Sequence, residues 1–265
     1  MKGAAGSGAA GTGAARRIAV VGKGGVGKTA LAAMLARVLL DGRSAGRLLA
    51  IDADPALGLV QALGLRVEKT MGQVRETILD AARAGADREM AEIAATLDYM
   101  VLEALVENGG LALLAMGRSE SLGCFCAVND VLRDAIRMLA DRFDTILVDG
   151  EAGLEQLNRQ VMDELDRLVI VTDPSARGLQ TGALLDELVR EKQVIRCARV
   201  GVVFNRVVGG EDTLAQSAAA LGVEVLGFIP QDPVLARFDT EGRSLLDLPA
   251  DSAALTAVRA LAAAL

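Results

Sequence analysis

The chain has 265 residues, of which 52% are hydrophobic and 24% charged, with a formal net charge of −7 at pH 7 and no histidine. This length and apolar content are sufficient for a substantial core, whereas the acidic charge and the absence of a long basic run argue against a nucleic-acid partner, because nucleic-acid binding depends on clustered Lys and Arg. Without histidine, a metal site must be built from Cys, Asp, Glu or Met.

Residues 1–15 (MKGAAGSGAAGTGAA) predict a flexible tail, since they cannot bury enough apolar surface to become ordered. They lack the continuous apolar core of a signal peptide, and no later run approaches the roughly 18 to 20 uncharged residues of a membrane span. Cys124 and Cys126 are too close in sequence for an ordinary structural disulfide, which indicates a reducing compartment. We therefore expect a cytoplasmic protein without a membrane partner, with residues 16–265 forming a single domain.

Strand-like and helix-like segments alternate along the rest of the chain. The predicted strands are residues 17–21, 47–52, 111–115, 145–149, 168–172, 200–204 and 223–228, and the predicted helices are residues 30–40, 128–139, 176–192, 212–221 and 251–264. Residues 71–107 predict two surface helices, separated near Gly85 and inserted at one edge of the sheet. This alternation predicts an α/β fold with a doubly wound, mostly parallel sheet and helices on both faces, in which ligands bind at the carboxyl ends of the strands.

The first strand and the first helix are joined by a phosphate-binding motif. Residues 22–29 (GKGGVGKT) match the pattern G-x-x-x-x-G-K-[ST], in which glycines let successive N–H groups turn towards an anion at a helix N-terminus. Lys28 is expected to reach the β- and γ-phosphates of ATP, and the Thr29 hydroxyl is expected to hold Mg²⁺. The residues expected to bind the nucleotide here are Gly24, Gly25, Val26, Gly27, Lys28, Thr29 and Ala30.

Three aspartates follow predicted strands and provide the acidic side of the site. Asp149 ends a wholly apolar strand, as a Walker B residue that meets Mg²⁺ must. Gly153 completes D-x-x-x-G, a spacing that allows a backbone N–H to approach the γ-phosphate. Of the pair Asp52 and Asp54, we expect Asp52 to support the metal and Asp54 to orient the attacking water.

Lys23, early in the loop K-G-G-V-G-K-T, is similar to the corresponding lysine of the deviant Walker A ATPases, SIMIBI-type P-loop NTPases that include MinD, ParA, the nitrogenase iron protein and the arsenite-pump ATPase. The resemblance implies ATP hydrolysis and a homodimer in which Lys23 touches the nucleotide of the partner. Asn205-Arg206, and Pro230 at the end of Gly227-Phe228-Ile229-Pro230, resemble the adenine-side loops of these proteins. An Asn side chain can read the adenine edge with one donor and one acceptor.

The pair Cys124 and Cys126 precedes the helix predicted at residues 128–139. On extended backbone both thiols would point to one side, and a nearby helix N-terminus would favour the thiolate form that binds metals. Two thiolates are too few for a four-coordinate site, but a two-fold axis beside the pair would supply four. A purely structural role for the two cysteines remains the alternative.

This combination resembles the CooC-like ATPases, accessory proteins of nickel carbon monoxide dehydrogenase and of acetyl-CoA synthase. The matching stretches are residues 22–29, 52–59, 116–126, 149–159 and 181–182. The resemblance implies delivery of Ni²⁺, with Zn²⁺ as a substitute in vitro, to one of these client enzymes when ATP closes the dimer around the cysteines. Ala30 departs from the threonine usual after the loop, and Glu151 adds a carboxylate whose role the sequence does not explain.

Two other functions use the same residues. The cysteines of two chains could instead hold a bridging iron–sulfur cluster, which would make the protein an electron donor or a cluster carrier. A positional switch of the MinD/ParA type would move on DNA or on a membrane. The acidic charge argues against DNA, and residues 251–265 carry a single basic residue, Arg259, so they are interpreted as a helix that covers the sheet.

Overall fold

The computed structural model describes residues 15–42, 46–83, 96–118, 126–150, 162, 164–192 and 194–265. The strands in these ranges are β1 (Arg16–Gly22), β2 (Leu48–Asp52), β3 (Leu105–Asn108), β4 (Leu111–Ala115), β5 (Thr145–Asp149), β6 (Glu164–Thr172), β7 (Arg196–Val207) and β8 (Val225–Pro230). They form one eight-stranded sheet in the order β3-β4-β2-β5-β1-β6-β7-β8. Only β3 is antiparallel to its neighbour, which confirms the predicted mostly parallel α/β sheet.

Helices cover both faces of the sheet. Within the described ranges they are α1 (Lys28–Asp41), α2 (Gly58–Ala62), α3 (Met71–Arg83), α4 (residues 96–103), α5 (Cys126–Ala140), α6 (Ala176–Arg190), α7 (Glu211–Ala220), α8 (Pro233–Thr240) and α9 (Ala253–Ala264), with a 3-10 turn at Leu245–Asp247. One core cluster lies on the side of α1, α2 and α9, and the other on the side of α3, α5 and α6.

The strand β1 lies at the centre of the sheet, between β5 and β6. Ile18 and Val20 pack into the cluster of α1 and α9, whereas Ala19 and Val21 pack into the opposite cluster. A strand that is covered on both faces has a continuous apolar sequence instead of an alternating one. This is why the first strand could be located from the sequence, and with it the loop that follows.

The prediction for residues 71–107 was wrong at its end. The second helix stops at residue 103, and Leu105–Asn108 form β3, an edge strand that pairs antiparallel with β4. Leu105 and Val106 are only half-buried and the next two residues are exposed, so the strand has little apolar pattern of its own. The missed signal is the pair Gly109 and Gly110, which both have positive φ, as a two-residue hairpin turn requires.

The prediction of extended backbone through the cysteine pair was also wrong at Cys126, which is the first residue of α5. The predicted helix began two residues later, at 128, because the first turn of a helix contributes little to the apolar stripe from which a helix is recognised. Cys124 lies outside the described residues, as do the predicted break at Gly85, the tail up to residue 14, Glu151 and Gly153.

The C-terminal helix α9 packs against α1 and β8, and Leu255, Val258 and Leu261 are buried. This confirms the prediction that residues 251–265 form a helix that covers the sheet. The start of α9 is tied to the start of α8 by Asp232, which accepts hydrogen bonds from Val234 N–H at 2.7 Å and from the Ser252 hydroxyl at 2.6 Å. Asp232 is therefore the N-cap of α8 and also binds Ser252, the N-cap of α9.

Candidate nucleotide site

The phosphate loop runs from the end of β1 to the start of α1 and has the geometry that its glycines predict. Gly25 and Gly27 have φ of 80° and 91°, in the left-handed region that residues with a Cβ avoid. Gly27 is also the N-cap of α1, and a Cβ at this position would lie 2.3 Å from Asn205 Nδ2. Both the backbone conformation and the lack of space therefore require glycine at position 27.

Two side chains near the end of β7 donate hydrogen bonds to carbonyl groups of the phosphate loop. Asn205 Nδ2 donates to the Val26 carbonyl at 2.8 Å, and Arg206 Nη1 donates to the Gly25 carbonyl at 3.2 Å. Asn205 Oδ1 in turn accepts from Arg206 N–H at 2.9 Å. In this structure the carboxamide of Asn205 thus has one donor and one acceptor contact within the chain. Its predicted contact with adenine, like that of Arg206, stays a prediction.

The two lysines of the loop have different environments. Lys28 is buried, and its ammonium lies over the loop, 3.3 Å from the Lys23 carbonyl to which it donates. Lys23 is exposed at the surface. A buried lysine at the start of a helix is suited to contact the phosphates of a nucleotide bound to the same chain. An exposed lysine can reach a group outside the chain.

Asp149 ends β5 directly beside Val20 of β1 and Asp52 of β2. It is 1% exposed, and within the described part of the chain neither of its carboxyl oxygens accepts a hydrogen bond of ordinary geometry. Burial raises the pKa of the Asp149 carboxyl to about 7, in spite of the lowering effect of the nearby Thr29 hydroxyl and Lys28 ammonium. A buried carboxyl without partners is costly unless a further group binds there.

These residues fit Mg²⁺. The ion prefers one or two carboxylates and completes its octahedral shell with water and phosphate oxygens. The oxygens of Asp149 at the end of β5 and the hydroxyl of Thr29 at the start of α1 are ligands of the required type, and the two side chains are near each other. Asp149 and Thr29 would therefore hold the ion, which would neutralise negative charge on the phosphates.

Asp52 is equally buried but already has hydrogen-bond partners. Its Oδ1 accepts from Asp54 N–H at 3.1 Å and its Oδ2 accepts from Val60 N–H at 3.0 Å. Burial raises the pKa of Asp52, and these backbone hydrogen bonds oppose the rise. Asp52 thus anchors the turn that leads into α2, and its predicted support of the metal could only be indirect while these bonds last.

Asp54 lies on the turn between β2 and α2. It is half-buried, and its Oδ1 accepts from Ala56 N–H at 2.8 Å. The turn continues to Gly58, where a Cβ would lie 3.4 Å from the Thr29 methyl carbon. Asp54 is therefore on the same short segment that packs against Thr29, which is compatible with its predicted role in orienting water.

The sequence reasoning did not identify Asp173, although it follows the strand predicted at residues 168–172 as Asp52 and Asp149 end theirs. Asp173 Oδ1 accepts from Ser175 N–H at 2.9 Å. The Ser175 side chain holds the pKa of Asp173 below its usual range, with smaller contributions from the positive charges of Lys23 and Arg177. The charge of Lys23 thus contributes to the electrostatic environment of Asp173.

The segment that carries the cysteines starts at this site. Met116, just after β4, donates its N–H to the Asp52 carbonyl at 2.8 Å, and its own carbonyl accepts from Gly72 N–H at 2.8 Å. Only the backbone position of Cys126 is described, at the start of α5. The described residues contain no group of three or more Cys, Asp or Glu arranged to hold a metal. None of the described helices has the length and hydrophobicity that crossing a membrane requires.

Comparison with known proteins gives consistent matches over most of the chain. The family described as CobQ/CobB/MinD/ParA nucleotide binding domain matches residues 18–245. The carbon monoxide dehydrogenase accessory protein CooC of Rhodospirillum rubrum is 33% identical over 241 residues, 88% of this chain and 90% of that protein. A protein of Methanocaldococcus jannaschii, described as an uncharacterized ATP-binding protein, is 38% identical over 237 residues, 88% of this chain and 91% of that protein.

Among solved structures, the cell division ATPase MinD of Pyrococcus furiosus matches with a TM-score of 0.66 and 25% identity, over 94% of this chain and 97% of that chain. A ParA family ATPase of Chlorobium tepidum matches with a TM-score of 0.69 and 23% identity, over 94% of this chain and 98% of that chain. These likenesses confirm the predicted P-loop NTPase fold.

Proposed function

The chain belongs to the CobQ/CobB/MinD/ParA nucleotide-binding family, and we propose that it hydrolyses ATP and uses the cycle to deliver Ni²⁺ to a carbon monoxide dehydrogenase or an acetyl-CoA synthase. The observation that carries the proposal is the hydrogen bond from Met116 N–H to the Asp52 carbonyl. It connects the nucleotide site to the start of the segment that leads to Cys124 and Cys126. The similarity to the carbon monoxide dehydrogenase accessory protein of Rhodospirillum rubrum supports the choice of client.

The chemistry at the phosphate end needs four residues of this chain. Lys28 binds the β- and γ-phosphates, Asp54 orients the attacking water, and Asp149 with Thr29 would hold Mg²⁺. The unpartnered carboxyl of Asp149 supports this arrangement, because a buried acceptor of this kind is stabilised when a cation binds. In the proposed reaction water attacks the γ-phosphorus, the bond to the β–γ bridging oxygen breaks, and ADP and phosphate leave.

The proposed active form is a homodimer. The exposure of Lys23 supports a role across the dimer interface, where its ammonium would contact the triphosphate of the partner. Two chains related by a two-fold axis bring four thiolates together, from Cys124 and Cys126 of each, which completes a four-coordinate site for Ni²⁺ or for Zn²⁺. Cys126 is the first residue of α5, and a helix N-terminus is in general a position that favours the thiolate form of a cysteine.

Few bonds separate the phosphate-binding residues from the cysteines along the chain. Hydrolysis changes the charge beside Asp149 and Asp54, and the turn that carries Asp54 begins at Asp52. The Asp52 carbonyl is hydrogen-bonded to Met116 N–H, from which eight further peptide bonds lead to residue 124. A shift of the Asp52 turn would therefore move the start of the cysteine segment, which is how we propose that hydrolysis opens the metal site.

Metal binding by cysteine variants tests the proposal. Equilibrium dialysis should find stoichiometric Ni²⁺ on the dimer, and Cys124→Ser or Cys126→Ser should lose it while ATP binding persists. Cys197→Ser is the matched control, because Cys197 lies near the start of β7, where its Sγ donates to the Arg199 carbonyl at 3.1 Å. Lys28→Ala should lose hydrolysis. Unchanged metal content in both Cys124→Ser and Cys126→Ser would refute the nickel assignment.

The same cysteines support a second candidate, a bridging iron–sulfur cluster that makes the protein an electron donor or a cluster carrier. Cys₄ ligation from two chains serves such a cluster as well as it serves nickel. Anaerobic purification distinguishes them: a brown protein with a broad absorbance band in the visible blue, lost in Cys126→Ser, would favour the cluster, and a colourless protein that takes up Ni²⁺ would favour delivery of nickel.

The likeness to MinD and ParA structures supports a third candidate, a nucleotide-driven positional switch. The apolar side of α9 is buried against α1 and β8, which argues against α9 itself binding a membrane surface. Cosedimentation with anionic lipid vesicles and gel shift with duplex DNA, each with and without ATP, would reveal a switch. We expect no ATP-dependent binding to either.

A further inference from the structure

Two consecutive residues near the end of β7 hold two consecutive carbonyls of the phosphate loop. Asn205 Nδ2 donates to the Val26 carbonyl at 2.8 Å, and Arg206 Nη1 donates to the Gly25 carbonyl at 3.2 Å. Asn205 is buried, 6% exposed, whereas Arg206 is exposed and reaches the loop with the end of its side chain. The two contacts act on the same short stretch of backbone from the side of β7.

These contacts orient the peptide units that face the phosphates. In a trans peptide the C=O of one residue and the N–H of the next point in opposite directions. When the Gly25 and Val26 carbonyls are held towards β7, the N–H groups of Val26 and Gly27 must point away from it. Neither N–H donates a hydrogen bond to any group in the described part of the chain, so both are available to an anion at the start of α1.

The backbone around Arg206 is specialised for this contact. The pairing of β7 with β8 passes from Asn205 opposite Ile229 to Val207 opposite Pro230, so Arg206 is an extra, bulged residue. It has φ of 58°, in the left-handed region where the backbone of a non-glycine residue is strained. A bulge of this kind redirects a side chain, and here it turns the guanidinium out of the ladder and onto the Gly25 carbonyl.

We infer that Asn205 and Arg206 are positioning residues for the phosphates, which fix the direction of the Val26 and Gly27 N–H groups by binding the carbonyls of Gly25 and Val26. This inference rests on the proposed nucleotide binding. It goes beyond recognition of adenine, because Asn205 and Arg206 then also determine the affinity for a polyphosphate that has no base.

Base-free tripolyphosphate separates the two roles. Isothermal titration with MgATP and with magnesium tripolyphosphate should show that Arg206→Gly weakens both by a similar factor, about tenfold for a lost charged hydrogen bond. Glycine is chosen because it adopts a positive φ without strain. Arg206→Lys should recover most of the affinity, since an ammonium can still donate to the Gly25 carbonyl. Asn205→Asp keeps the acceptor for Arg206 N–H but places an oxygen against the Val26 carbonyl, so it should weaken both ligands more strongly.

Val208→Gly is the control for added backbone freedom, since Val208 adjoins the bulge and is 77% exposed. It should bind both ligands as the wild type does. Loss of ATP affinity with unchanged tripolyphosphate affinity in Arg206→Gly and Asn205→Asp would overturn the inference and assign both residues to the base alone. A wild-type protein that binds neither ligand would refute the proposed nucleotide function itself. Thermal unfolding of each variant distinguishes a weakened site from an unfolded chain.

Discussion

Asp52 and Asp149 are directly paired on the neighbouring parallel strands β2 and β5, and both carboxyl groups are buried. They nevertheless differ in their partners. Asp52 accepts hydrogen bonds from two backbone N–H groups of the turn that follows it. Within the described part of the chain, neither oxygen of Asp149 accepts a hydrogen bond of ordinary geometry, although the Thr29 hydroxyl is near. One carboxylate is therefore occupied in holding the backbone, and the other is available to a cation.

The burial of Asp149 predicts that Asp149→Asn stabilises the protein in the absence of ligands. Because its pKa is raised to about 7, the folded state retains a proton that the unfolded state releases near pH 4, so the carboxyl reduces stability increasingly as the pH rises from about 4 to 7. Removal of the ionisable group should raise the free energy of unfolding at pH 8 by on the order of a few kcal/mol.

Urea denaturation at pH 5 and pH 8 measures this effect, and the gain should be smaller at pH 5. Asp141→Asn, at an exposed carboxylate, is the control and should change stability little at either pH. The same Asp149→Asn protein should lose the dependence of nucleotide binding on Mg²⁺. An Asp149→Asn protein less stable than the wild type at pH 8 would contradict the assignment.

Gly27→Ala should destabilise the phosphate loop by about 3 kcal/mol, through strain at positive φ and displacement of the Asn205 side chain from the Val26 carbonyl. The added methyl carbon would lie 2.3 Å from Asn205 Nδ2. Gly209→Ala is the matched control, because Gly209 has φ of 69° but no atom within 4 Å of an added Cβ. Its cost should be the strain alone, about 1 kcal/mol by urea unfolding. Equal costs for the two variants would show that the contact with Asn205 is unimportant.

Lys23→Gln should abolish ATP-dependent dimerisation without lowering stability, because Lys23 is exposed in the isolated chain. Sedimentation velocity with a non-hydrolysable ATP analogue and Mg²⁺ should show dimers for the wild type and monomers for the variant. Lys192→Gln is the control, since Lys192 is exposed and lies between the end of α6 and the start of β7, at the edge of the sheet opposite to the loop. Dimers of normal affinity in Lys23→Gln would mean that Lys23 does not cross the interface.

Asp232→Ala should cost about 3 kcal/mol of stability, because its carboxylate caps α8 and accepts from Ala254 N–H in the first turn of α9. Its loss also leaves the buried Ser252 hydroxyl without its acceptor. Burial alone would raise the pKa of Asp232, but the hydrogen bonds from Ser252, Ala254 and Val234 lower it below its usual value. The stabilisation is therefore present above the unfolded pKa near 4 and declines as the pH falls further.

The measurement is the difference in unfolding free energy between wild type and Asp232→Ala at pH 7 and at pH 3.5, and the difference should be smaller at the lower pH. Asp239→Ala changes an exposed aspartate on α8 and should have little effect. A difference that does not change with pH would show that the charge on Asp232 does not contribute.

The phosphate loop, the central strands and the acidic strand ends could be predicted because each depends on local chemistry. Glycines at 25 and 27 are needed for positive φ, and the apolar runs at 17–21 and 145–149 are needed by strands that are buried on both faces. Edge strand β3 was missed for the converse reason. Its residues are half-buried or exposed, so its pairing with β4 left little trace in the hydrophobic pattern.

By itself, the sequence determined the class of the fold and the chemical groups that can meet a nucleotide, because propensity, periodicity and the phosphate-loop spacing act over a few residues. Only the tertiary structure decided which of those groups bind other parts of the chain and which stay available to a ligand. Asn205 and Val26 are 179 residues apart, and the hydrogen bond between them depends on strand order. Whether Asp52 or Asp149 keeps unpartnered oxygens likewise depends on which backbone N–H groups the fold brings to each. Contacts of this kind follow from packing and register, which no local pattern encodes.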